Sequence, residues 1–174
     1  MTNISRQFAW IVAVASLAPG VCGCGSSGGA PPPPDPTAGT VSGSVKGTTW
    51  DKLSNAHWIG KPATGSPPVI LFLFEAPVKC SDIVNVNWDK TATGSRQILE
   101  VALKESAVRT YQIMTDAFAA YLFNDYNPDA FSGTVTIKTA NPSMNIAGSF
   151  DLDFLGDKLM GTFDAKYCGD GVEP

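Results

Sequence analysis

The chain has 174 residues, 44% of them hydrophobic and 16% charged. That balance excludes a disordered acidic tail and allows a buried core, and the length beyond the leader suits one domain rather than two. Twelve Lys and Arg against sixteen Asp and Glu give a formal net charge of −4, which argues against a nucleic-acid partner.

Arg6 is the only charge among the first seven residues, and Phe8 to Ala18 (FAWIVAVASLA) is almost unbroken apolar sequence. As a helix this run rises about 16 Å, half of a hydrocarbon core of roughly 30 Å. It is too short to span a membrane and fits the apolar region of a signal peptide. Pro19 and Gly20 then break the helix, and Val21-Cys22-Gly23-Cys24 follows. This stretch resembles the lipobox of bacterial lipoproteins: an aliphatic residue, a small one, Gly, then the Cys that becomes lipidated. The resemblance implies a signal peptide over 1–23 and palmitate-type acylation of Cys24 as the new first residue. Cys22 suits the anchor role less well, because Pro19-Gly20-Val21 lacks the small residue before it. An ordinary secreted protein cut in this region is the alternative. Chemistry favours the lipoprotein, since two exposed thiols outside the cytosol would be open to oxidation. Each buried CH2 of an acyl chain adds about 0.8 kcal/mol of membrane affinity. In the lipoproteins of diderm bacteria, a residue such as Gly25 after the anchor is compatible with the outer membrane. The expected location is therefore the cell envelope, with a membrane as one partner.

Residues 24–40 are the anchor Cys and a tether, GSSGGAPPPPDPTAGT. The tether has no apolar side chain larger than Ala, so it cannot pack a core. Gly and Ser make it flexible, and Pro31 to Pro34 make a short stiff spacer of about 3.1 Å per residue. A proline-rich recognition motif would ordinarily carry a flanking basic residue, which is lacking here.

Residues 41–174 are read as one β-domain. Thr40 to Lys46 is a first strand. Val69 to Phe74 (VILFLF) is apolar on both parities, which requires cover on both faces. Residues 96–112 and 116–123 are ambiguous: good helix formers, yet Leu99, Val101 and Leu103 share one parity. Strands are favoured because the neighbouring segments are β and sequential strands tend to pair. A helix within 97–123 is the alternative, and would supply the cover over Val69–Phe74. Phe131 to Lys138 is another strand, ended by Asn141-Pro142. From Asn145 to Lys166 the alternation is strong, with Phe150, Leu152, Phe154, Leu159 and Phe163 on one face and the acids on the other. A two-residue type II′ turn at Gly156-Asp157 would pair Phe154 with Leu159, Leu152 with Gly161 and Phe150 with Phe163. The sum is an all-β fold, an antiparallel β-sandwich or small up-and-down β-barrel with one short helix allowed.

SGTVTI (132–137), GSFDLDF (148–154) and GDKLMGTFDAKYC (156–168) resemble a group of lipoproteins predicted in bacteria, abundant in myxobacteria, that end in a repeated G-S/T-F-D hairpin and a Cys. The resemblance implies a location and a fold, and it implies no chemistry.

Cys80 and Cys168 remain once Cys22 is removed and Cys24 acylated. An even pair in an exported domain is expected as a disulfide. The alternatives are free thiols and a metal site, the latter set aside because no His or further Cys lies nearby. His57 is the single histidine, and no G-x-S-x-G motif accompanies it, so a structural role outweighs a catalytic one. Asp151, Asp153 and Asp164 share one face of the last hairpin. They are a weak calcium candidate, against the plainer reading of a solvated face that discourages edge pairing. Trp50, Trp58 and Trp88 could line a ligand pocket or simply pack the core. No cofactor and no catalytic residues are expected. The functional expectation is a lipid-anchored binding or interaction module of unknown partner. The alternatives are a small barrel that carries an apolar ligand and, more weakly, a hydrolase.

Overall fold

The computed structural model describes residues 38–60, 69–84, 97–124 and 126–170. Cys22, Cys24, the tether up to Thr37 and Trp88 lie outside the described residues. The elements are β1 (Gly39–Val45), β2 (Thr48–Thr49), β3 (Asn55–Gly60), β4 (Val69–Phe74), α1 (Cys80–Ile83), β5 (Gln97–Leu103), β6 (Thr110–Gln112), β7 (Ala117–Phe123), β8 (Ser132–Asn141), β9 (Asn145–Phe154) and β10 (Asp157–Asp170). The described chain is thus all-β apart from the four residues of α1, and 97–123 resolves into strands, not a helix.

One sheet runs β6-β8-β9-β10-β3-β4-β5-β7. It consists of two antiparallel meanders, β8-β9-β10 and β3-β4-β5-β7, joined where β10 lies beside β3. That joint is parallel, with Lys166 opposite His57 and Asp170 opposite Gly60, so the sheet is not the purely antiparallel one expected. The cause is the path of the chain along one edge of β10. β1 pairs antiparallel with its first half, Gly39 opposite Phe163 and Gly43 opposite Leu159. A single reversal at Lys46-Gly47, both with positive φ, turns the chain round. β3 therefore arrives beside the second half of β10 running the same way.

The sheet curls almost closed into a barrel. Residues 126–131 bridge its two ends: Tyr121 N–H donates to Pro128 O (3.0 Å), Ala130 N–H to Ala119 O (2.8 Å) and Phe131 N–H to Asp153 O (2.8 Å). The interior is filled by the chain's own side chains, with Trp50, Tyr111, Tyr121, Leu71, Leu99 and Leu103 all fully buried. β4 explains its double-sided apolar sequence. Val69, Leu71 and Leu73 point into the barrel, while Phe72 and Phe74 point outward and pack with Val78, Ile83 and Ile98. The cover is thus the 75–84 segment with α1, not a helix within 97–123.

The last hairpin keeps the expected faces but not the expected register. Phe154 pairs with Asp157, Leu152 with Leu159, Phe150 with Gly161 and Gly148 with Phe163. The turn is Leu155-Gly156, with φ of 61° and 103°, as a type I′ turn requires. Asp153 Oδ1 accepts the Gly156 N–H at 2.8 Å. Parity alone cannot separate registers that differ by two residues, because both keep Phe on one face and Asp on the other. What separates them is the fit of Phe over Gly. A Cβ on Gly161 would meet Phe150 Cζ at 2.9 Å, and one on Gly148 would meet Phe163 Cζ at 2.8 Å. Each ring thus covers the bare backbone of the facing strand, an arrangement that pins register.

Gly148→Ala should destabilise the fold by ~3 kcal/mol, read as a lowered urea midpoint, because its Cβ would also overlap Thr136 O. An unchanged midpoint would refute the Phe-over-Gly packing. Tyr121 offers a second check. Its ring sits 6.1 Å from Trp50 and 6.2 Å from Phe154, and its O–H donates to Gln97 Oε1 at 2.7 Å. Burial, and then the charge of Glu75, pushes this phenol from 10.0 up to about 12. The folded state keeps a proton that the unfolded state gives up, so the contribution is whole below about pH 10 and is lost as pH rises through about 12. Tyr121→Phe should cost about 1–2 kcal/mol at pH 7 and should flatten the alkaline fall in stability relative to the parent. Parallel pH curves for the two proteins would contradict this.

Candidate functional site

The side chains with chemical potential gather on the outer face of the barrel, where the two meanders meet. Along β3 the even positions Ala56 and Trp58 enter the barrel core, and the odd ones point out beneath the 75–84 segment. Two of these, Asn55 and His57, grip one residue of that segment. Asn55 Oδ1 accepts the Val78 N–H at 2.8 Å, and His57 Nε2–H donates to Val78 O at 2.9 Å. A strand repeat of two residues suits this clasp, because i and i+2 lie on one face and can reach both polar groups of a crossing residue. Both side chains are buried, so these bonds also answer for the desolvation of their polar atoms.

Two residues beyond Val78, Cys80 is bonded to Cys168 of β10, with Cα atoms 5.1 Å apart. His57 Nδ1 lies 4.0 Å from Cys80 Sγ. With Nε2–H committed to the Val78 carbonyl, Nδ1 is the ring nitrogen on the sulfur side. The expected disulfide is therefore present, and the histidine has a structural grip on the strand cover. The ground for setting aside a metal at the pair is overturned, since the fold carries His57 to the cysteines across 23 residues of sequence. Among the described residues, His57, Cys80 and Cys168 are the group whose metal-ligating atoms converge, all within 4.8 Å of one another. The alternation Asn55, His57, Ile59 against Ala56, Trp58 was the available sequence signal, and it gives the face of His57 without its neighbours.

A row of outward positions crosses the sheet here: Lys166, His57, Phe72, Glu100 and Ala120. Phe72 stands between His57 and Glu100, and burial raises the Glu100 carboxyl above its ordinary range.

The other residues singled out from sequence do not assemble. Asp151, Asp153 and Asp164 share the outer face of the hairpin, but they are dispersed along it. Asp153 caps the turn at Gly156, and Asp164 accepts a hydrogen bond from Asn145 Nδ2 at 2.7 Å. Asp151 pairs with Met160, and Asp164 lies four residues further along β10, about 13 Å away at the strand rise. Trp50 is fully buried and donates from Nε1 to Lys52 O at 2.6 Å. Trp58 is buried with its ring 4.5 Å from that of Tyr167, and its Nε1 has no hydrogen-bond partner among the described residues. Both tryptophans belong to the packed core.

Compared with family models, curated proteins and solved structures, the chain matches none.

The disulfide closes a loop of 88 residues, worth about 4–5 kcal/mol in the chain-entropy account. A chain with Cys22 and Cys24 replaced by serine should take up no maleimide until it is reduced, and reduction should lower its melting temperature. Labelling of both remaining cysteines without reductant would refute the bond.

Proposed function

We propose that this chain is a lipid-anchored, exported β-barrel that acts as a non-enzymatic docking module of the cell envelope, held at the outer membrane of a diderm bacterium through acylated Cys24. The lipobox-like Val21-Cys22-Gly23-Cys24, the tether behind it and the oxidised cysteine pair support export and anchoring. The observation that carries the docking role is the division of apolar surface. A carrier needs a cavity of several hundred cubic ångströms, whereas here the interior is occupied by aromatic and aliphatic side chains. Large apolar groups instead stand in solvent at one rim. Phe131 is 66% exposed and Leu155 81%, and the bond from Phe131 N–H to Asp153 O sets the backbone of Phe131 beside the end of β9 that leads into Leu155. Tyr126 joins them through Lys46. The Lys46 Nζ lies 5.2 Å from the Tyr126 ring, and the Lys46 N–H donates to Asp157 Oδ2 at 2.8 Å, just past the Leu155-Gly156 turn. Exposed aromatic residues are common interface anchors, and exposed apolar surface rimmed by polar groups marks interaction sites. The apolar-carrier reading has one observation on its side, the Trp58 Nε1 inside the barrel, which has no hydrogen-bond partner among the described residues.

Two measurements test the proposal. Alkyne-palmitate fed to cells should label the parent chain and not Cys24→Ala, which should leave the membrane fraction. A photocrosslinking amino acid at 131 or 155 should yield a discrete adduct that the same probe at the outward but distant Lys138 does not. Unlabelled parent protein would remove the anchor, and the lack of an adduct from either rim position would remove the docking role.

A further inference from the structure

The cluster of His57, Cys80 and Cys168 has a capacity that a structural disulfide does not use. Its three potential ligand atoms lie within 4.8 Å of one another. A tetrahedral metal with Zn–S of about 2.3 Å and Zn–N of about 2.0 Å needs donors roughly 3.5–3.8 Å apart, and His57 Nδ1 already stands 4.0 Å from Cys80 Sγ. Cleaving the S–S bond frees the two sulfurs to part to that spacing by side-chain rotation. The imidazole is oriented in advance: Nε2–H is held by the Val78 carbonyl at 2.9 Å, the outer hydrogen bond that metal-ligating histidines ordinarily make. His57 is 6% exposed, which fixes the ring, while both cysteines are half-buried, so reductant, metal and a solvent ligand have a way in.

We propose that reduction converts the Cys80–Cys168 bond into a three-ligand metal site, with His57 Nδ1, Cys80 Sγ and Cys168 Sγ holding a borderline-soft divalent ion such as zinc and solvent at the fourth position. A dithiol reductant gives two electrons and two protons to the S–S bond and itself becomes a disulfide. The metal then binds the two sulfurs as thiolates, and their two protons pass to solvent. Two thiolates with one imidazole is a donor set that selects zinc over hard cations such as calcium and magnesium. The same three residues thus hold the 75–84 cover against β10 in either state, by a covalent bond when oxidised and by a metal when reduced. Sulfur oxidation state decides which.

The test uses the full chain with Cys22→Ser and Cys24→Ser, so that Cys80 and Cys168 are its only thiols, and cobalt(II) as the spectroscopic probe. After reduction with a phosphine, one equivalent of cobalt should bring a thiolate-to-cobalt charge-transfer band and the strong visible bands of tetrahedral cobalt, and zinc should displace both. The oxidised chain should give neither. Cys168→Ser should lose the charge-transfer intensity, and His57→Gln should weaken cobalt binding at least ~10-fold and shift the visible bands. A reduced, folded chain without the charge-transfer band overturns the site. An unchanged affinity and spectrum in His57→Gln overturns the role of the histidine. Should reduction unfold the chain, zinc must restore its circular dichroism, and failure to do so overturns the proposal as well.

Discussion

The parallel pairing of β10 with β3 is the constraint on which the architecture turns. Each meander could form from local hairpins, but neither encloses a core alone. They become one barrel only when residues 166–170 lie along residues 57–60, more than a hundred residues apart in the chain. Contacts at such separation are entropically expensive to form. The structure concentrates its strongest links at that seam: the Cys80–Cys168 bond spans it on the outside, the Asn55 and His57 clasp holds the cover in place, and Trp58 meets Tyr167 on the inside.

This placement separates two roles. The barrel interior is spent on packing, and its aromatic residues serve as filler. Chemistry is displaced to the exterior, where a second small core of Phe72, Phe74, Val78, Ile83 and Ile98 gives half-buried cysteines and a buried histidine a partly water-excluded setting. The rim with Phe131 and Leu155 lies by the β9–β10 turn, at the opposite end of β10 from residues 166–170, which form the seam. The proposed docking surface and the proposed metal site therefore share no residues.

Much of the fold could be read from alternation alone, because period-two patterning is a direct imprint of a half-buried strand. Val69–Phe74 announced cover on both faces, and Asn145–Lys166 announced a hairpin with its acids outward. The hairpin register escaped, because face parity is blind to a shift of two and the deciding contacts are Phe150 over Gly161 and Phe163 over Gly148. The parallel seam escaped because nothing local in β3 or β10 encodes which partner lies alongside. The pairing of Cys80 with Cys168 was accessible by counting cysteines. The nearness of His57 to them was not, since it depends on the seam itself.

Amide hydrogen exchange on oxidised and reduced protein, without added metal, tests the seam most directly. Reduction should speed exchange in Asn55–Gly60, in the 75–84 cover and in the last five residues of β10, and should leave Phe150 to Phe154 and their partners on β8 as slow as before. Unchanged protection at the seam, or loss of protection spread evenly over both meanders, would contradict the claim that the disulfide secures this joint in particular.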